Sequence, residues 1–154
     1  DIYKKPIWPK KPLFYVCCPS KTDNEVAPKD KENIFILIPI APGIKDTGDI
    51  RKKYFDIVLH RLSKYCQIDL KQIIEYERSY CINDFISDYN AFKGNAYGLA
   101  NTLTQTANLK PKIKSKKINN LFYTGQLTVP GPGVPPSLIS GKVVANYILN
   151  KELC

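Results

Sequence analysis

The hydrophobic positions of the chain come in short blocks separated by polar, turn-forming stretches, and each block has its own period. "LFYVCC" (13–18) is a compact β-prone run closed by Pro19. "IFILIPIA" (34–41) is nearly continuous hydrophobe, the pattern of a strand covered on both faces. Pro39 within it marks a sheet edge or a bend. The polar stretch 19–33 between them reads as a loop, so the two runs predict an antiparallel pair. Asp49 is placed to cap a helix over "IRKKYFDIVLHRLSKYC" (50–66), where Phe55, Val58, Leu59 and Leu62 form one apolar stripe. "QIIEYERSY" (72–80) alternates as a strand, and "INDFISDYNAF" (82–92) predicts a short helix or turn. Gly94 and Gly98 interrupt the next segment, leaving helix only from Leu99 onward. A basic loop (110–117), a short buried strand "NNLFYTG" (119–125) and a helix "PSLISGKVVANYILNK" (136–151) follow. Pro136 suits the helix's first turn, and Gly141 and Ala145 are small enough for close packing on a sheet. Residues 1–12, with prolines at 6, 9 and 12, form an extended lead-in.

Composition changes this picture in three ways. With 154 residues and 44% apolar content, the chain can fold around a core. A net charge of +9 favours anionic partners without choosing among phosphate, nucleic acid and lipid headgroups. The lysines gather at 4–11, 29–31 and 110–117, which read first as solvated surface. The chain starts Asp-Ile-Tyr and contains no Met, which reads as a processed or excised piece.

Most candidate chemistry is weak. His60 is the only histidine and falls on the polar side of its helix, so a histidine-based triad, metal site or general base is not supported. The five cysteines (17, 18, 66, 81, 154) include no C-x-x-C, so neither a disulfide framework nor a metal site is indicated, and a reduced, cytoplasmic setting fits. Cys17 and Cys18 lack a basic neighbour to stabilise a thiolate. Asp84 and Asp88, spaced i,i+4, are either a carboxylate pair or two surface acids. Nucleic-acid binding is disfavoured, because "KPKIKSKK" contains no aromatic residue on which a base could stack. No apolar run is long enough to span a bilayer, so membrane contact would be peripheral.

The stretch "GQLTVPGPGVPPSL" (125–138) is different. Prolines at 130, 132, 135 and 136 stiffen it, while Gly131 and Gly133 let backbone approach another group closely. A helix begins at its end and points a positive dipole the same way. Strand, rigid glycine loop and helix start are the parts of an anion or ring cradle. They are equally the parts of a tight strand–helix connection, and the pattern alone leaves both open.

These residues do resemble a known family. "LFYVCCPSKTDNEVAP", "ILIPIAPG", "RSYCINDFISDYNAFKGNAYGLANTLTQTANLKP" and above all "NLFYTGQLTVPGPGVPPSLISGKVVA" are similar to the C-terminal part of bacterial-type phytoene desaturases, FAD-dependent carotenoid oxidoreductases. The resemblance implies an α/β (α+β fragment) class: the C-terminal part of an amine-oxidase-like flavoprotein. Residues 13–95 would belong to its substrate-binding domain, with antiparallel strands at 13–18 and 34–41. Residues 96–154 would return to the FAD domain and supply its last strand, loop and helix. Gly125, Gln126, Gly131, Pro132, Gly133, Val134, Pro135 and Ser137 would lie at the cofactor. Asn95, Tyr97, Leu99 and Gln105 would lie on the substrate side. A phytoene-like polyene, the rest of the same polypeptide and the cytoplasmic membrane surface are the implied partners, with no nucleic acid and no metal. The implied reaction is hydride transfer from the polyene to FAD.

The chain departs from the family pattern in places. Ala100 stands where many relatives carry a Glu, so no catalytic acid or base is assigned. Gln126 stands where a small residue or an acid is common in the wider superfamily. The G-x-G-x-x-G fingerprint that grips an ADP pyrophosphate is absent, and the chain alone is expected to hold FAD poorly. A sister 3,4-desaturase, oxygenase-like enzyme or isomerase is the nearest alternative, and a basic nucleic-acid- or membrane-binding module the more distant one.

Overall fold

The computed structural model describes residue 2, residues 4–100 and residues 102–152. The chain divides into two compact units, Asp1–Gly94 and Asn95–Cys154. The described residues form a small α+β structure with one two-stranded antiparallel sheet and three α-helices, interspersed with short 3-10 turns.

In the first unit, strand β1 (Tyr15–Cys17) pairs antiparallel with β2 (Phe35–Leu37), Val16 opposite Ile36. Both strands are shorter than the runs that predict them. Pro12 and Pro19 bracket β1 and Pro39 follows β2, and a proline cannot donate to a ladder. Nor is β2 covered on both faces: Phe35 is 51% exposed. The long connection is clasped by Glu32, whose carboxylate accepts from Ser20 Oγ at 2.6 Å and from Lys21 Nζ. Those donors hold the Glu32 carboxyl down at about 2.

Helix α1 (Gly48–Cys66) is capped slightly earlier than expected. Thr47, not Asp49, is the cap: its hydroxyl accepts from Ile50 N at 3.4 Å, while Asp49 sits in the first turn, where a carboxylate favours the dipole. Val58 and Leu59 are buried, Phe55 and Leu62 half-buried, and Tyr54 joins them. Tyr54 ties the segment before β1 to α1. Its hydroxyl donates to Pro9 O at 2.8 Å and its ring lies 4.4 Å from that of Trp8. Arg61 donates to Pro12 O at 2.5 Å and covers the Phe14 ring.

The strand expected over 72–80 is absent. Leu70–Gln72 makes a 3-10 turn and the residues beyond it are irregular and exposed. Alternation specifies a strand only where one face has something to bury against and an edge to pair with. Helix α2 (Ile82–Tyr89) then forms within its expected range, opened by Cys81 N–H donating to Asp84 Oδ2 at 2.7 Å.

In the second unit the helix expected from Leu99 is replaced by two 3-10 turns, Leu103–Gln105 and Ala107–Leu109. The expected strand 119–125 is reduced to an isolated antiparallel bridge, Lys114 with Phe122, flanked by Tyr123 N donating to Ile113 O at 2.7 Å. A buried strand needs neighbours on both edges, and the described part of this unit supplies one. Helix α3 (Val134–Glu152) starts two residues before Pro136, so Pro135 and Pro136 both sit in its first turn. Val144 and Ser140 are its buried positions among the described side chains, and the Tyr147 ring meets Phe122 at 5.8 Å.

Candidate functional site

The second unit contains an open cleft of about 520 Å³. Three segments build it: Ala96 and Tyr97; Thr124, Gly125 and Gln126; and Gly133, Val134, Ser137 and Leu138 at the start of α3. Each wall has a local cause. Asn95 Oδ1 accepts from Gly98 N at 2.5 Å, an Asx turn that presents Ala96 and Tyr97. Thr128 is buried, and both its N–H (3.1 Å) and its hydroxyl (3.0 Å) donate to Gly125 O.

Ser140 completes the frame. Its hydroxyl donates to Ser137 O at 2.6 Å, which uses its one proton. It therefore accepts from Gly125 N (2.7 Å) and from the Thr124 hydroxyl (2.7 Å). Gly125 is thus gripped through both its N–H and its carbonyl, at φ +102°, and a Cβ there would meet nothing within 4 Å. The bare Cα faces open space.

Helix α3 aims its N-terminus at this cleft, but with few donors. Of its first three residues only Val134 has an N–H, since the other two are prolines, and Ser137 N is already bonded to Gly133 O at 3.0 Å. The row of free N–H groups that a helix start ordinarily offers is therefore reduced here to one N–H and the helix dipole. That suits a flat group with diffuse charge better than a phosphate, which takes several N–H donors at once.

Of the residues expected at the cofactor, Gly125, Gln126, Gly133, Val134 and Ser137 line the cleft. Gly131, Pro132 and Pro135 do not; they shape the turn into α3, with Gly131 buried. Of the substrate-side candidates Tyr97 lines the cleft and is 62% exposed, Asn95 buttresses it, and Leu99 and Gln105 lie outside it. Ala96, Thr124 and Leu138 are lining residues that the sequence did not single out. Ser140 was legible in one respect: a hydroxyl among Leu138, Ile139, Val143 and Val144 on a helix usually bonds a carbonyl one turn back.

The other candidates are accounted for structurally. Asp84 bonds Arg51 at 2.8 Å and Asp88 accepts from the Tyr80 hydroxyl at 2.6 Å, so the two carboxylates serve different partners. Asp88 raises the Tyr80 phenol, and burial raises the Cys81 thiol. His60 is exposed. Cys17, Cys18, Cys66 and Cys81 are free thiols, Cys154 lies outside the described residues, and no metal-holding cluster occurs among the described residues.

No protein-family model matches the chain. Known proteins do. The chain is 45% identical over 149 residues to the carotenoid 3,4-desaturase of Haloarcula japonica, covering 97% of the chain and 30% of that protein. The chain is a relative of the carotenoid desaturases. It is also 35% identical to a 4,4'-diapophytoene desaturase of Staphylococcus haemolyticus, over 92% of the chain and 29% of the relative. A zeta-carotene-forming phytoene desaturase of Myxococcus xanthus matches at 30%, over 92% of the chain and 28% of the relative. The chain spans about 30% of the length of the first of these desaturases.

Proposed function

We propose that the chain is the C-terminal portion of an FAD-dependent carotenoid desaturase of amine-oxidase-like architecture, and that the α3 cleft is its flavin-facing wall. One observation carries this reading: a stretch shared with desaturases presents a bare glycine and a helix N-terminus to an open cleft rather than packing them away. The residues fit such a cofactor. Gly125 leaves room for a ring to lie against backbone, Val134 and Leu138 offer apolar contact, and Gln126 and Ser137 offer polar atoms within the same lining. Bound FAD would supply the two-electron acceptor for a hydride drawn from a saturated stretch of the polyene. The chain's own part is to position and desolvate. Tyr97, 62% exposed at the cleft, provides a flat apolar surface suited to a conjugated substrate.

The activity belongs to the full-length protein. Expression of the complete gene in a phytoene-producing host, with product analysis, tests it: products with more conjugated double bonds are expected, and unchanged phytoene overturns the reading. Val134→Trp in that protein fills the cleft without straining backbone. Flavin is expected to be lost while circular dichroism is unchanged, and retained flavin would separate cofactor from cleft.

A second reading has support of its own. Identity to the 3,4-desaturase is 45%, against 30% to the phytoene desaturase, which favours a late step that extends an already conjugated chain. Feeding lycopene-like instead of phytoene-like substrate to the same host distinguishes the two. We place the enzyme in the cytoplasm at the membrane surface. No helix among the described residues is long and apolar enough to cross a bilayer, and clustered lysines near anionic lipid contribute roughly 1 kcal/mol each. Salt-sensitive binding to anionic liposomes is the expected behaviour, and salt-insensitive binding would argue against it.

A further inference from the structure

The second unit carries almost no negative charge. Between Asn95 and Cys154 the sequence has Glu152 as its only acidic side chain, against lysines at 110, 112, 114, 116, 117, 142 and 151. Lys112, Lys114, Lys116 and Lys117 fall on or beside one hairpin, residues 113–123. Its Lys114–Phe122 bridge is extended on one side by Tyr123 N donating to Ile113 O at 2.7 Å, and on the other by Ser115 N donating to Leu121 O at 2.9 Å. The tip is shaped from inside: Ser115 Oγ accepts from Lys117 N and from Ile118 N, each at 3.2 Å. Phe122 is half-buried and its ring meets Tyr147. Side chains alternate across an extended segment, so Leu121 and Tyr123 face the other way. With Ile118 they stand in water, at 36%, 45% and 51% exposed. Lys116 and Lys117 are exposed beside them, and none of the four lysines meets a carboxylate among the described residues.

We propose that this hairpin is the surface by which the enzyme docks on an anionic membrane leaflet, with Ile118, Leu121 and Tyr123 entering the headgroup layer and the lysines lying among the phosphates. This rests on the membrane-surface placement above and adds to it the segment responsible and a mode of contact, insertion as well as attraction. The mixture of exposed hydrocarbon and ammonium groups decides the occupant. Apolar side chains leave water at a bilayer surface while the flexible lysine stems keep their charges at the phosphate level. A free phosphate would need N–H donors, and those of Ser115, Lys117, Ile118 and Leu121 are spent within the hairpin. A nucleic-acid strand would stack its bases among the lysines, and residues 110–121 contain no aromatic side chain. A covering protein segment would accept the apolar residues but would have to desolvate a cluster of lysines.

The test sediments the full-length, flavin-loaded protein with phosphatidylcholine vesicles, with and without phosphatidylglycerol, over a range of salt. Lys116→Gln with Lys117→Gln is expected to bind the phosphatidylglycerol vesicles about tenfold more weakly at low salt, with a shallower salt dependence. Ile118→Ser with Leu121→Ser is expected to bind about tenfold more weakly at every salt concentration, with the salt dependence unchanged. Both pairs replace exposed side chains outside the cleft, so flavin absorbance and turnover of detergent-dispersed substrate are expected to match wild type. In the wild type, trypsin is expected to cut after Lys116 or Lys117 in the free protein and to be blocked by anionic vesicles. Variants that bind vesicles as the wild type does would overturn the proposal and leave the membrane placement to another surface. Trypsin resistance at the tip without vesicles would show that the remainder of the polypeptide covers it, which also overturns the proposal. So would loss of oligonucleotide binding in the lysine pair with vesicle binding intact. A wild type that ignores phosphatidylglycerol vesicles defeats the membrane placement itself, a separate result.

Discussion

Ser140 is the most constrained small side chain of the candidate site. Its single hydroxyl bonds three groups, on the helix (Ser137 O), on the cleft floor (Gly125 N) and beside it (Thr124 Oγ1), and it is fully buried. Ser140→Ala raises helix propensity but strands a buried amide and removes the anchor of Gly125. The expected net loss is about 2 kcal/mol, read as a lower urea midpoint with unchanged slope. Because Ser140 is what grips the Gly125 N–H, flavin retention in the full-length protein is expected to fall as well. A stability loss with undiminished flavin binding would show that the Ser140 frame does not shape the cleft. Side chains of the same site differed in how far the sequence announced them. Gly125, Gln126, Gly133, Val134 and Ser137 could be named because the resemblance to the desaturases implies them; the run of prolines and glycines alone left a tight strand–helix connection equally open. Thr128 could not, and Ser140 only in that a helical hydroxyl is expected to bond a carbonyl one turn back. That Ser140 also grips Gly125 is decided by a partner segment 15 residues away.

At the level of elements, the beginnings of α1 and α2 are joined through one carboxylate. Asp46, with its side chain 1% exposed, takes both Arg51 Nε (2.7 Å) and Nη2 (2.6 Å), and also accepts from Asn83 N at 2.9 Å. Arg51 reaches on to Asp84, the residue that closes the first turn of α2. Arg51's hydrogen bonds hold the Asp46 carboxyl below the usual aspartate range. A lowered folded-state pKa contributes stability above the unfolded value, near 3.9, and that stability disappears as pH falls through the folded value. Urea midpoints of the wild-type chain are therefore expected to drop as pH falls below about 4, and Asp46→Asn to flatten that portion. Arg51→Ala leaves a buried carboxylate alone and is expected to lose about 3 kcal/mol at neutral pH, and less in acid. An equal loss at both pH values would exclude the ion pair as the cause. The helices themselves were legible because their periodicity is self-contained: α1, α2 and α3 all lie where their apolar spacing puts them. The strands were legible only in part: β1 and β2 form and pair inside their predicted runs, the later two do not. Residues 72–80 and 119–125 carry β-type alternation, but a ladder is a property of two segments, and their register is settled by neighbours that local pattern does not reveal.

At the scale of the whole chain, the apolar surface left in water is the dominant feature. Leu103 is 89% exposed, Leu13 78%, Phe92 76%, Val134 74% and Leu138 72%. Single exposed hydrophobes are ordinary, but Val134 and Leu138 stand i,i+4 on one helix face and line the same cleft. In a chain that spans about 30% of the carotenoid 3,4-desaturase it most resembles among the relatives above, we read this surface as one that the remainder of a longer polypeptide and its cofactor cover. A single substitution should then have opposite consequences in two contexts. In the 154-residue chain alone, Leu138→Glu places a charge on solvated surface, so dye binding to exposed hydrophobe and self-association should both decrease while stability changes little. The isolated chain should also retain no flavin absorbance with or without the change, for want of a pyrophosphate-binding fingerprint. In the full-length protein the same glutamate would be buried against apolar surroundings without a partner and would repel negative charge at the flavin. Soluble yield and flavin occupancy should both fall there. If Leu138→Glu is harmless in both contexts, the cleft faces water in the whole protein too, and its place beside the cofactor is lost; the sign reversal is what a surface built for a covering partner requires.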